Sequence, residues 1–185
     1  MTTGAPPQYL MGYIRLIHYV AAGVFVMTGL VRVYWLFAGN QFERLPALFP
    51  VRKRDWVNLV TQVKYYLMIH PERAPHYIGH NPLQQLSYTT TYVVSIVVML
   101  TGFAMYGQAE PGGFFYTITQ PLTLAVGGIQ VVRLVHHLCV WWFIIFPIMH
   151  IYLVIRKEVT ERGGGLSGIV NGGHYIRADK QYVDE

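Results

Sequence analysis

The chain has 185 residues, 53% of them hydrophobic and 15% aromatic, and its 12% charged residues are less than half of the about 25% usual in soluble domains. With a mean hydropathy of +0.32, this composition argues against a soluble enzyme and for an all-α helical bundle in a membrane. The single cysteine excludes disulfide frameworks, zinc clusters and cysteine-ligated iron–sulfur centres within the chain, and the net charge of +5 is informative mainly through where it falls.

The N-terminus carries no basic residue ahead of its first apolar run, and that run is too long for the core of a signal peptide, so no cleavable leader is expected. A first span is expected over 10–38, interrupted only by Arg15, His18 and Arg32. At about 1.5 Å per residue it is long enough for a bilayer core, which needs about 20 helical residues. A polar connection with Arg52, Lys53, Arg54 and Asp55 follows, then 56–69, where Trp56, Val57, Val60, Val63 and Leu67 recur at helical spacing. This stretch reads either as an amphipathic helix on the membrane surface or as an ordinary loop helix. Two X-Pro steps, His70-Pro71 and Ala74-Pro75, break it.

A second span is expected over 86–106, inside a stretch from Ala74 to Ala109 without Asp, Glu, Lys or Arg. The Gly- and Pro-containing segment 107–129 reads as a loop. A third span is expected over 134–155, bounded by Arg133 and Arg156 with no formal charge between them, and the Gly-rich tail 161–185 reads as extended and solvent-exposed. Together these make one membrane domain, 1–185.

Lysine and arginine give its expected orientation. The connection between the first two spans holds Arg44, Arg52, Lys53, Arg54, Lys64 and Arg73, and the C-terminal tail holds Arg156, Lys157, Arg162, Arg177 and Lys180. The N-terminus and the 107–130 connection hold none. The positive-inside rule therefore puts the first connection and the C-terminus in the cytoplasm, with the N-terminus and the second connection outside.

Ionisable residues within spans are costly and mark function by default. His18 lies toward the outer end of the first span and His136 toward the outer end of the third, at matching depth. Two such imidazoles on neighbouring helices suit the axial positions of haem iron. His150 follows His136 by 14 residues. That spacing is roughly 40° short of four turns and about 21 Å along the axis, so one helix face carries a histidine toward each leaflet. His137 is rotated by about 100° and belongs to another face. The alternative is that these histidines bond neighbouring helices or sit in the interface. Arg32, 14 residues after His18, is placed to meet a haem propionate near the inner leaflet or to snorkel as an anchor. Small residues (Ala21, Ala22, Gly23, Gly29; Thr101, Gly102, Ala104) suit close helix approach or a macrocycle, and Cys139 reads as a packing residue.

The segments MGYIRLIH (Met11 to His18), RVYWLFAGN (Arg32 to Asn40), GHNPL (Gly79 to Leu83), LTGFAMYG (Leu100 to Gly107) and HHLCVWW…HIYLVIRKE (His136 to Glu158) occur in this order. In them the chain resembles the B-type cytochrome subunit of membrane-bound nickel–iron uptake hydrogenases. The resemblance implies a four-helix, dihaem cytochrome of the inner membrane that takes electrons from the hydrogenase small subunit, which pairs with a large subunit, and passes them to quinone. His18 matches the ligand of that pattern's second helix, and His136 and His150 match those of its fourth. The remaining ligand belongs to a first helix, and no histidine precedes His18 here. The outer site, His18 with His136, is thus expected to be complete and the inner site to have His150 alone, with truncation the favoured explanation.

The resulting expectation is a haem-b electron-transfer and anchoring subunit with hydrogenase, quinone and lipid as partners and no nucleic acid. It has no hydrogen-cleaving site of its own, since nickel–iron ligation needs cysteine pairs. The alternatives are the cytochrome of another periplasmic oxidoreductase such as formate dehydrogenase, a haem-free anchor, and, more weakly, a small transporter. Quinone is expected near the cytoplasmic helix ends, around His80, Asn81, Gln84 and His150, where polar donors meet the apolar region. Asn81-Pro82 also reads as a simple helix cap.

Overall fold

The long apolar runs become helices because, in lipid, a backbone must satisfy its own hydrogen bonds. A computed structural model describes residues 9–39, 53–67 and 81–161, with positions 44, 48, 49, 69, 77 and 172. Five helices occur among them: α1 (Leu10–Ala38), α2 (Lys53–Tyr66), α3 (Pro82–Gly107), α4 (Phe114–Ala125) and α5 (Ile129–Glu161). α1, α3 and α5 are long and apolar enough to cross a membrane. Their outward surfaces are rich in Leu, Ile, Val and Phe, a face that lipid accepts and water does not. The chain forms two compact units, 1–45 and 46–185.

The first unit is built on α1, whose bounds are those expected. It ends where the N–H of Gly39 bonds the Trp35 carbonyl at 2.9 Å, and Arg44 Nε donates to the Gly39 carbonyl at 2.8 Å.

In the second unit, α3 packs on α5, α4 and α2. It begins at Pro82, four residues before the expected 86, because a capping box fixes the start. Asn81 Oδ1 accepts from the Gln84 N–H at 2.8 Å, and Gln84 Oε1 accepts from the Asn81 N–H at 3.0 Å. Along α3, the hydroxyls of Ser87, Thr90, Thr91, Ser95 and Thr101 donate to carbonyls one turn back. These five hydroxyls thereby find an acceptor within their own helix, whereas Thr89 donates to the Leu48 carbonyl at 2.7 Å.

α2 covers 53–66 rather than 56–69. Its C-terminal end is held by α5, where the Arg156 guanidinium donates to the Tyr65 and Tyr66 carbonyls and lies over both rings. A cation at the negative end of a helix also complements its dipole. Gln62 and Tyr65 are buried while Trp56, Val57 and Val60 are exposed. The apolar stripe thus turns away from the bundle, as a helix lying on a bilayer surface requires.

The segment read as a loop over 107–129 contains α4. Its glycines are helix punctuation: Gly113 is the N-cap, and Gly127 and Gly128, at φ of 102° and 97°, turn the chain into α5. Pro121 sits inside the helix, which obscured the pattern. α4 is fastened to the end of α3 by Phe115, stacked on Phe103 at 5.2 Å and edge-on to Tyr106 at 5.5 Å. Gly107 makes room, since a Cβ there would stand 2.8 Å from the Tyr116 nitrogen. α5 extends beyond the expected 134–155 at both ends and continues through its charged residues to Glu161. Of the tail, only position 172 is among the described residues.

Candidate functional site

One face of α5 repeats at intervals of three and four residues: Val132, His136, Cys139, Trp142, Phe146 and His150. Val132 and Cys139 are buried on it. Trp142 Nε1–H donates to Thr91 Oγ1 of α3 at 3.3 Å, and His136 meets Thr101 of the same helix. The 14-residue interval therefore sets His136 and His150 on the seam between α5 and α3. Pro147 lies between them inside the helix, where it has no N–H to continue the ladder.

His136 is half-buried and closely seated. Its Nδ1 lies 2.9 Å from Thr101 Oγ1. A Cβ on Gly102 would stand 3.4 Å from its Cε1, so the ring edge rests on the α3 backbone. His137, next in the chain, is exposed, and its Nδ1–H donates to the Arg133 carbonyl at 2.7 Å.

At the other end of the seam, His150 stacks on Phe146 at 5.7 Å, and Phe146 stacks on Trp142 at 5.5 Å. A cavity of about 120 Å³ opens beside His150, lined by Tyr66, Gln84, Tyr88, Phe146 and Lys157 among others. Gln84 and His150 thus share one cavity. Asn81 is buried, and its side-chain oxygen is engaged in the α3 cap. His80 lies outside the described residues. His18 and Arg32 both belong to α1, in the first unit. Unbroken helix joins them, so their spacing corresponds to about 21 Å along the axis.

Two histidines of α5 thus lie on one seam at different positions along the helix. The sequence matches the prokaryotic cytochrome b561 family over residues 1–172. The chain belongs to that family.

Among its relatives is the probable Ni/Fe-hydrogenase B-type cytochrome subunit of Azotobacter chroococcum mcd 1, 38% identical over 183 residues, covering 95% of this chain and 74% of that one. The probable counterpart of Cupriavidus necator is 35% identical over 171 residues, covering 91% and 70%. The probable Ni/Fe-hydrogenase 1 B-type cytochrome subunit of Escherichia coli (strain K12) is 33% identical over 172 residues, covering 89% and 71%.

A cytochrome b561 implies haem b. The chain's donors fit that group. Among the described residues no cluster of three or more His, Cys, Asp or Glu is present, but haem iron takes its equatorial nitrogens from the porphyrin and needs only axial ligands from protein. An imidazole that hydrogen-bonds through Nδ1, as His136 does with Thr101, offers iron its Nε2.

Thr101, the lining residues Tyr66, Tyr88 and Lys157, and the Arg156 clamp were not read from sequence as site or docking residues. Thr101 was legible only as a small residue suited to close helix approach or a macrocycle. Its contact depends on the antiparallel register of α3 and α5, which no local pattern specifies.

Proposed function

We propose that this cytochrome is the haem-b electron-transfer and membrane-anchor subunit of a nickel–iron hydrogenase complex, delivering electrons from the hydrogenase to quinone. The observation that carries this reading is His136 on the α3–α5 seam, tied through Nδ1 to Thr101, in a chain of the cytochrome b561 family. Haem b, when bound, supplies one-electron transfer.

The chain's residues then divide the work. His18 and His136 would hold one haem toward the outer side, and Arg32, toward the inner leaflet, would meet a propionate of the group that His150 holds. His150 marks a second haem position. The lysine and arginine distribution puts the α1–α2 connection and the C-terminus in the cytoplasm. Under that orientation the α3–α4 connection faces the hydrogenase small and large subunits.

Quinone binds at the cytoplasmic end, beside His80, Asn81, Gln84 and His150. The cavity beside Gln84 and His150, about 120 Å³, is smaller than the about 150 Å³ that accommodates benzene, so a quinone ring would enter it edge-first and in part. The capping box uses Gln84 Oε1, leaving the amide N–H donors of Gln84 for a quinone carbonyl. His150 and Tyr66 supply further polar atoms in the lining.

Gln84→Glu separates the two roles of this residue, because the carboxylate keeps the cap acceptor and loses the amide donors. In the assembled complex it is expected to lower hydrogen-dependent quinone reduction and inhibitor sensitivity while haem remains reducible by hydrogen. Unchanged quinone turnover would leave Gln84 with the cap alone.

A further inference from the structure

We propose that Thr101 is a positioning residue that fixes the tautomer and ring plane of His136, presenting an unprotonated Nε2 to haem iron. This rests on the reading of His136 as a haem ligand. The Thr101 hydroxyl has a single hydrogen. Its oxygen lies 2.7 Å from the Val97 carbonyl and 3.1 Å from the Val98 carbonyl, and both of these groups only accept. It also lies 2.9 Å from His136 Nδ1.

Two proton arrangements are open. If the hydroxyl donates to Nδ1, one hydrogen bond forms across the seam, the hydroxyl gives up its bond to its own helix, and the imidazole proton sits on Nε2. If the hydroxyl donates to Val97, its oxygen accepts from Nδ1–H, two hydrogen bonds form in series, and Nε2 keeps its lone pair. The second arrangement gives the Thr101 hydroxyl two bonds instead of one where no water competes.

The same seam contains an unambiguous precedent. Thr91 Oγ1 donates to the Ser87 carbonyl at 2.8 Å and accepts from Trp142 Nε1–H at 3.3 Å. An indole nitrogen can only donate, so that threonine must be the acceptor across the helix pair. Thr101 repeats the arrangement with a histidine in place of the tryptophan. Gly102 lies along the same ring edge, where a Cβ would stand 3.4 Å from Cε1.

An imidazole that donates from Nδ1 is a more basic ligand through Nε2, and it favours the oxidised over the reduced iron. Removing the acceptor is therefore expected to raise the midpoint potential and loosen the group.

The test uses the full hydrogenase complex in mild detergent, carrying Thr101→Val, Thr101→Ser, His136→Ala or the control Thr90→Val. Thr90 is a half-buried α3 threonine whose hydroxyl donates to the Leu86 carbonyl at 2.8 Å. The readouts are the redox titration of the haem lost in His136→Ala, its ferric low-spin electron paramagnetic resonance spectrum, and its retention on dilution. Thr101→Val is expected to raise the midpoint potential, shift the low-spin signal and weaken retention by about 10- to 100-fold. Thr101→Ser should restore all three, and Thr90→Val should match wild type. If Thr101→Val does not accumulate, Thr101→Ala carries the same readouts.

Wild-type potential, spectrum and retention in Thr101→Val, with haem lost in His136→Ala, would overturn the inference and leave the ligand assignment standing. So would equal changes in Thr101→Ser and Thr101→Val. Full haem retention in His136→Ala would overturn both.

Discussion

At Gly102 the His136 ring occupies the space that a long side chain would need. The Cβ of an alanine would stand 3.4 Å from the imidazole Cε1, an ordinary contact that the ring tolerates. A leucine would have to occupy the ring's own place, at an overpacking cost of about 1–3 kcal/mol. Gly102→Ala is therefore expected to keep the haem that depends on His136, and Gly102→Leu to lose it while the polypeptide still reaches the membrane. Haem content per polypeptide in the two variants checks this, and equal content in both would show that the close seat is immaterial. At this scale the sequence was partly legible. The 14-residue interval between His136 and His150 placed both on one helix face because helix geometry is local. Thr101 as the partner was not legible, because residues 35 apart meet only through the register of two helices.

Among the elements, the three spans were legible and the shorter helices less so. α1, α3 and α5 announce themselves by uninterrupted apolarity, and the cap at Asn81-Pro82 marks the start of α3. α4 hid behind Pro121 and the flanking glycines, which usually signal a loop. What makes it a helix is tertiary: Phe115 stacks on Phe103, and α4 approaches Gly107 closely. α2 was legible as amphipathic, while its end depends on Arg156, 90 residues from Tyr66. In sequence Arg156 served as a topology marker; in the fold it closes the last carbonyls of α2. Arg156→Ala should leave the Tyr65 and Tyr66 carbonyls without these charged donors, at a cost of about 2 kcal/mol. The expected outcome is faster proteolysis within α2 and lower thermal stability in detergent, with partial recovery in Arg156→Lys. Unaltered cleavage in Arg156→Ala would mean that α2 is held by its contacts with α3.

For the whole molecule, composition and charge distribution already specified a multi-pass membrane protein, and the five helices with three candidate spans among the described residues agree. Membership of the cytochrome b561 family adds haem b, which composition and periodicity alone do not name. The central proposal is that His18 of α1 and His136 of α5 would serve the same haem. Its most direct test is haem quantified per polypeptide, with the reduced-minus-oxidised spectrum, in complexes carrying His18→Ala or His136→Ala. Each substitution is expected to remove the same b-type component in full. Retention of wild-type haem content and spectrum in both variants, or loss of different components in the two, would contradict the account.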